Sequence, residues 1–125
     1  MGLGGALGAV ARWWLASLIA PSAAFPVGIA AVNLCGCLLI GFLFPYTMEK
    51  GLAPAMRLGI VTGFIGAFTT FSTWEDGTYG LLVHGAPLLA GSYLLVSLTG
   101  GLACVAIGAA LAQRLTDSTR RRKSA

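Results

Sequence analysis

Charged side chains are scarce in this sequence. They make up 10% of its 125 residues, with four Asp and Glu residues and a single histidine, His84. Enzymes that use covalent or acid–base chemistry place a nucleophile beside a base, and no such pair is visible here. We therefore expect that the chain is not an enzyme.

Cysteines are also few, and their positions indicate packing rather than chemistry. Cys35, Cys37 and Cys104 all lie within apolar runs, where thiols behave as small hydrophobic side chains. The sequence predicts neither a disulfide nor a zinc site.

Apolar residues dominate the rest of the chain. They form 57% of the residues, and the mean hydropathy is +0.85. Because a membrane-crossing helix needs about 20 apolar residues, the chain has room for about four crossings. We predict an all-α integral membrane protein, with one four-span transmembrane domain over residues 1–113 and a basic cytoplasmic tail over residues 114–125. The spans are expected over residues 3–20, 27–44, 56–83 and 88–112, with a turn at residues 21–26 and another near His84.

The basic residues predict the orientation of the chain in the membrane. Every Lys and Arg lies toward the side that holds both termini, so the positive-inside rule places both termini in the cytoplasm. Arg12, in the first span, is expected to extend toward this interface. The basic tail indicates contact with anionic lipid headgroups rather than with nucleic acid. It contains Arg114, Arg120, Arg121, Arg122 and Lys123.

Small residues predict close contacts between the spans. Gly4 with Gly8, and Gly59 with Gly63, have the small-xxx-small spacing that lets helix backbones approach closely in lipid. We expect tight helix packing at both pairs.

The third span contains an unusual run of polar residues. Residues 63–74 read GFIGAFTTFSTW, with four hydroxyl side chains within residues 69–73. Ser and Thr can bond back to a carbonyl one turn earlier, but this density exceeds what such bonds explain. We predict a break in the helix at Gly66 to Thr70, which would free backbone carbonyls to bind a small cation. Unwound backbone at this depth is tolerated only where it is buried or lines a cavity.

Further hydrogen-bond donors lie in the second and fourth spans. Asn33 brings an amide, while Tyr93 and Ser97 are four residues apart and so share a helix face. Donors without matching acids favour an anion along such a face. Two other interpretations stay open at this stage, since an Asn can link neighbouring helices and a Tyr can anchor a helix at the membrane interface.

Four segments, one in each span, resemble the Fluc family of microbial fluoride channels, also called the CrcB family. They are GGALGAVAR at 4–12, PVGIAAVNLCG at 26–36, GFIGAFTTFST at 63–73 and YLLVS at 93–97. The resemblance implies a fluoride-selective channel that exports cytoplasmic fluoride passively across the bacterial plasma membrane. It also implies an antiparallel, dual-topology dimer with one structural sodium ion at its centre.

The resemblance also assigns roles to individual residues. Backbone carbonyls that hold the sodium ion are expected from Gly66 and Thr69. The fluoride pathway is expected to involve Asn33, Phe71, Trp74, Tyr93 and Ser97, with Trp74 in the place of a second pore phenylalanine. Structural or vestibule roles are expected for Arg12, Thr70 and Ser72.

Two rival functions and the identity of the partner remain to be weighed. A small multidrug exporter driven by protons needs a carboxylate inside the membrane. The only acids within the expected spans, Glu75 and Asp76, come late in span three. A non-catalytic assembly subunit would explain the small residues but gives the TTFST run no role. The dimer partner is expected to be a second copy or an oppositely oriented homologue. The one-sided charge predicts a single orientation for this chain, which favours the homologue.

Overall fold

A computed structural model of the chain describes residues 1–19 and 25–123, with the backbone alone for residues 120–123. All regular structure in these ranges is helical. Helix α1 spans Gly2–Leu18, α2 Val27–Glu49, α3 Pro54–Arg57, α4 Gly66–Phe68, α5 Ser72–Val83 and α6 Pro87–Lys123, and a π-helical segment, Leu58–Ile65, joins α3 to α4.

Three stretches are long and apolar enough to cross a membrane. They are Val27–Glu49, Pro54–Val83 and Pro87–Thr119, which overlap the second, third and fourth expected spans. Helix α1 has 17 residues, at the lower limit for a crossing. The expected end of the first span at Ala20, and residues 21–24 of the following turn, lie outside the described residues.

Helix α2 is longer than the sequence predicts. We expected it to end near Pro45, but it continues through Pro45 to Glu49. Proline removes one backbone donor and normally bends or ends a helix, yet helices in a membrane bundle tolerate it where neighbouring groups satisfy the freed carbonyl. Helix α6 likewise extends beyond residue 112, so the backbone of residues 114–123 continues the helix.

Glycines set the distance between neighbouring helices. Helices α2 and α6 form the most extensive pair, and their backbones meet where a Cβ on Gly108 would lie 2.7 Å from the Phe42 nitrogen. The third span, Pro54–Val83, is called the third helix here and includes α3, the π-helical segment, α4 and α5. Helix α1 packs in the same way on this third helix, because a Cβ on Gly8 would collide with the Phe64 carbonyl. A Cβ on Gly4 would collide with the Gly59 carbonyl. The expected small-residue contacts are therefore found.

A tight turn joins α5 to α6 near His84, as expected. Gly85 has φ +72°, a conformation that glycine adopts without a steric penalty. The N–H of Ala86 donates to the Leu81 carbonyl at 2.9 Å, which closes the end of α5. The turn places the two helices side by side.

The apolar side chains face outward to an extent that a soluble protein does not show. Large side chains such as Leu3, Leu88 and Leu102 are exposed, while the buried apolar set is small and rich in alanine. Water would penalise so much exposed apolar surface. This distribution suits a chain whose outer surface contacts lipid and other protein, and the chain is a multi-pass membrane protein.

Candidate functional site

The third helix is interrupted at Thr69 to Phe71. Helix α4 ends at Phe68, Thr69 is extended with φ −79° and ψ 156°, and α5 begins at Ser72. The expected break at Gly66 to Thr70 therefore overlaps the observed one at Thr69 and Thr70, while Gly66 itself is helical. The eight-residue π-helical segment just before it is itself unusual, because π-helical turns are rare and frequently lie at functional sites.

Asn33 holds the middle residue of the interruption, Thr70, in place. Its Nδ2 donates to the Thr70 carbonyl at 3.0 Å, and its Oδ1 accepts the Thr70 backbone N–H at 2.9 Å. This pair of bonds connects α2 to residue 70 across 37 positions of sequence. The amide thus satisfies two backbone groups that would otherwise be unpaired at this depth.

The hydroxyl groups of the polar run stabilise the start of α5. Thr70 Oγ1 accepts the backbone N–H of Thr73 at 3.3 Å and lies 3.0 Å from Thr73 Oγ1. Ser72 Oγ is 3.4 Å from Thr70 Oγ1. Thr69 Oγ1 instead donates back to the Ile65 carbonyl at 3.0 Å. The Thr69 hydroxyl therefore bonds to the helix before the break, while the hydroxyls of Thr70, Ser72 and Thr73 lie together at the start of the helix after it. Thr70 and Ser72 thus have a structural role at the break.

Several carbonyls at the break lack their helical donors, among them those of Gly66 and Thr69. In a continuous helix the Thr70 N–H would bond to the Gly66 carbonyl and the Thr73 N–H to the Thr69 carbonyl. Here the Thr70 N–H bonds to Asn33, and the Thr73 N–H bonds to the Thr70 hydroxyl. Gly66 and Thr69 are the two residues that the sequence resemblance associates with sodium.

An open cavity of about 390 Å³ lies beside the break. Its wall contains an amide, hydroxyls, a thiol, aromatic rings and aliphatic side chains, but no charged side chain. Glu75 and Asp76 do not contribute to it. The lining residues are Asn33, Gly36, Cys37, Ile40, Ile65, Thr69, Thr70, Phe71, Trp74, Ser97 and Leu98.

Three buried donors at this cavity or directly behind it have no hydrogen-bond partner in the described part of the chain. They are Trp74 Nε1, Tyr93 Oη and Ser97 Oγ. Leaving a buried donor unpaired costs about 1–3 kcal/mol, so such groups are rare in native structures and require an explanation. Three of them together indicate a place where a ligand or water completes the bonds.

Tyr93 lies behind the cavity rather than on its wall. Its side chain is 0% exposed, its ring meets Phe25 edge to face at 5.2 Å, and the ring of Trp74 is 6.2 Å away. Phe71, in contrast, is 72% exposed and tilts against Trp74 with ring centroids 5.4 Å apart. The three rings form a row from the buried core to the mouth of the cavity.

Some residues that define this site were absent from the sequence-based assignment. Ile40 lies on the same face of α2 as Asn33, at helical spacing, and this periodicity is the signal that could have identified it. Gly36 leaves the space in which Thr69 packs, because a Cβ there would collide with Thr69 Cγ2. Arg12 is half-buried on α1 and is not part of the cavity wall.

Comparison with known proteins places the chain in a family. The family model described as CrcB-like protein, Camphor Resistance (CrcB), matches residues 1–109. The chain belongs to the CrcB family. The resemblance seen in the four sequence segments is therefore confirmed.

Curated relatives cover nearly the whole chain. A protein of Moorella thermoacetica named fluoride-specific ion channel FluC 1 is 45% identical over 90% of this chain and 83% of its own length. FluC 2 of Listeria innocua is 45% identical, covering 92% and 89%, and FluC 2 of Symbiobacterium thermophilum is 47% identical, covering 89% and 93%. These relatives are named as ion channels, and the chain is, as expected, not an enzyme.

Proposed function

We propose that this chain is the subunit of a fluoride-selective channel that exports cytoplasmic fluoride by passive permeation. The observation that carries the proposal is a cavity without charged side chains whose wall includes Trp74 and Ser97, two residues with unpartnered buried donors, with the unpartnered hydroxyl of Tyr93 behind it. The names of the relatives support the choice of fluoride among anions.

The donor set matches the chemistry of a small anion. Fluoride holds its water strongly, so a pathway must replace that water with hydrogen-bond donors and the electropositive edges of aromatic rings. Asn33 has two N–H groups on Nδ2, of which one serves the Thr70 carbonyl. The second remains for an ion at the cavity wall. Because these donors are neutral, they bind the ion weakly enough to release it.

A cation would find a poorer site along this wall. The indole N–H of Trp74 can only donate, and the nearby carboxylates of Glu75 and Asp76 are exposed and outside the cavity. This arrangement gives a proton-coupled exporter of cationic drugs no embedded carboxylate to exchange protons.

The same proposal includes one structural sodium ion, which is not transported. The carbonyls of Gly66 and Thr69 fit this role because their helical donors are bonded elsewhere, and unwound backbone carbonyls are the usual ligands of sodium in broken membrane helices. Within the described residues no cluster of His, Cys, Asp or Glu offers an alternative metal site. A cation there would lower the energy of an anion nearby.

We further propose that the chain has four spans and forms an antiparallel dimer. The cavity is open, and Phe71 at its mouth is exposed in the single chain, so a second subunit would enclose the pathway. The one-sided distribution of Lys and Arg favours a homologue of opposite orientation as the partner over a second copy.

Labelling tests the orientation. The three cysteines are replaced by alanine, and Ser118→Cys adds one exposed thiol near the carboxyl end of α6. In cells that express this chain alone, an impermeant maleimide should label the thiol only from the cytoplasmic side. Equal labelling from both sides would show that the chain inserts in both orientations and forms an ordinary homodimer.

Growth of fluoride-sensitive bacteria tests the function in cells. A strain without its own fluoride exporter should grow in millimolar fluoride when it expresses this chain. If the labelling shows a single orientation, the strain also expresses a homologue of opposite orientation. It should not grow with an equally abundant Asn33→Asp variant. Equal growth with the variant, or no protection by the unmodified chain, would contradict the proposal.

A further inference from the structure

A second cavity lies at the end of α2, apart from the break in the third helix. It has a volume of about 400 Å³ and lies between the last turns of α2 and the start of the third helix. Arg57 is the only charged side chain among the described residues of its wall. The lining residues are Phe44, Pro54, Ala55, Arg57, Leu58, Val61 and Thr62. The fluoride pathway proposed above gives this cavity no role.

The guanidinium of Arg57 is poorly matched by groups of the chain. It has five N–H donors and no acceptor. Within the described residues its hydrogen-bond partner is the sulfur of Met48, and a thioether is a weak acceptor. No carboxylate lies among the described residues of the cavity wall. The remaining donors are therefore available to an oxyanion, and the planar guanidinium matches two oxygens of a phosphate group.

The direction of the helices places Arg57 on the basic side of the membrane. Helices α2 and α6 run in the same direction, because a Cβ on Gly100 would lie 3.1 Å from the Leu34 side chain and a Cβ on Gly108 would lie 2.7 Å from the Phe42 nitrogen. The end of α2 is therefore on the same side as the end of α6, which leads into the basic tail. Basic pockets between membrane helices on this side are typical sites for lipid headgroups.

An apolar groove continues from this cavity toward the middle of the membrane. Phe44, which is 51% exposed, lines both the Arg57 cavity and a groove of about 440 Å³ between α2 and α6. None of the described residues of this groove has a polar side chain; they are Ile40, Gly41, Phe44, Pro45, Val105 and Ala109. Ile40 lies about one turn of α2 deeper in the membrane than Phe44. The groove therefore suits a hydrocarbon chain.

A phospholipid uses both features, whereas simpler ligands use one. A free anion would contact Arg57 and leave the groove uncovered, and a neutral lipid would cover the groove and leave the guanidinium without an acceptor. We propose that Arg57 and the groove beside Phe44 bind one anionic phospholipid, with its phosphate on the guanidinium and an acyl chain in the groove. A zwitterionic headgroup would bring a cation to a wall without a carboxylate, so the anionic headgroup is favoured. The lipid site does not depend on which ion the chain conducts.

Native mass spectrometry of the assembled protein tests the phosphate end of the site. Purified protein in detergent is titrated with phosphatidylglycerol, and the first bound lipid is counted. Arg57→Gln removes the guanidinium. Lys50→Gln is the matched control, because the Lys50 ammonium lies 5.5 Å from the centroid of the Tyr46 ring and Lys50 lines neither cavity.

The two variants should differ in their affinity for the lipid. Arg57→Gln should bind about tenfold more weakly than the unmodified chain, the lower end of what a hydrogen bond to a charged group contributes. Lys50→Gln should bind like the unmodified chain. Equal binding by the two variants would overturn the proposal.

Two alanines of α6 test the acyl end of the site. Ala109→Leu puts a larger side chain into the groove and should weaken the binding of phosphatidylglycerol. Ala110 is exposed and does not line the groove, so Ala110→Leu should bind like the unmodified chain. This pair leaves the guanidinium in place and decides the matter even if Arg57→Gln fails to fold. Equal binding by the two leucine variants would also overturn the proposal.

Competition identifies the kind of ligand. Neither inorganic phosphate nor phosphatidylcholine with the same acyl chains should displace phosphatidylglycerol at equal concentration. Displacement by phosphate would show a site for free anions, and displacement by phosphatidylcholine would show a groove without charge recognition; either result would overturn the proposal. Fluoride efflux is recorded separately, because a chain that binds the lipid but transports no fluoride would contradict the proposed channel and leave the lipid site standing.

Discussion

Replacement of Asn33 by leucine should disable the channel by closing the break in the third helix. The substitution removes both bonds to Thr70, the 3.0 Å bond to its carbonyl and the 2.9 Å bond from its N–H. Each buried backbone group left without a partner costs about 1–3 kcal/mol. The broken geometry therefore loses about 2–6 kcal/mol of stabilisation relative to alternatives in which these groups are paired.

A continuous helix is the alternative that gains. Without Asn33, the Thr70 N–H is available to the Gly66 carbonyl, its acceptor in an uninterrupted helix. Even the lower value of about 2 kcal/mol reduces the population of the broken form relative to the continuous one by about 30-fold. For this value of about 2 kcal/mol, fluoride flux should fall by up to the same factor.

Liposome efflux read with a fluoride electrode measures the effect. Cys35→Ala is the matched control, because Cys35 lies on the same helix and is exposed. Asn33→Asp distinguishes two aspects of the site: it keeps an acceptor for the Thr70 N–H but places a negative charge beside the pathway, so we expect almost no flux. Flux at the unmodified rate in Asn33→Leu would refute this reasoning.

Three further predictions follow from the packing and the break. Gly8→Ala should lower stability in detergent by about 1–3 kcal/mol, because the new methyl meets the Phe64 carbonyl. Gly5→Ala, where a new methyl would lie 3.9 Å from its nearest neighbour, should melt at the temperature of the unmodified chain. Equal melting temperatures for both variants would contradict the packing. Phe71→Ile should reduce fluoride flux in the assembled protein, since this side chain lies at the mouth of the cavity, and unchanged flux would remove it from the pathway. Replacing Na⁺ by a larger cation should reduce fluoride flux without cation current, and sodium flux as fast as fluoride flux would exclude a structural ion.

The sequence predicts the apolar helices and the glycine contacts well because both depend on local composition. Three of the four predicted spans coincide with stretches that are long and apolar enough to cross a membrane, and the small-residue spacing identifies where α1 meets the third helix. The family follows from four short segments, because their order along the chain is specific even where single segments are not.

The position of the break could not be predicted as closely. The density of hydroxyl side chains indicates that the third helix is interrupted, but the position of the interruption depends on the two bonds between Asn33 and Thr70. These bonds join residues 37 positions apart and depend on how α2 packs. The end of α2 also depends on packing between helices: the sequence predicted it at Pro45, whereas the helix continues to Glu49.

The depth of Tyr93 is also a property of tertiary packing. The i, i+4 spacing predicts that Tyr93 and Ser97 share a face, but only the positions of Phe25 and Trp74 make Tyr93 fully buried and leave Ser97 on the cavity wall. Whether an aromatic side chain lines a cavity or supports its wall depends on its neighbours in space.

One measurement tests the central claim most directly. Purified protein is reconstituted, in its functional oligomer, into liposomes that contain equal potassium fluoride and potassium chloride, and both anions are followed outside by ion-selective electrodes while valinomycin is added. Passive, selective permeation predicts rapid fluoride release that begins with valinomycin, because anions can then leave together with potassium, and no chloride release above that of protein-free liposomes. Chloride release at the rate of fluoride, or fluoride release that requires a proton gradient instead of valinomycin, would contradict a fluoride-selective channel.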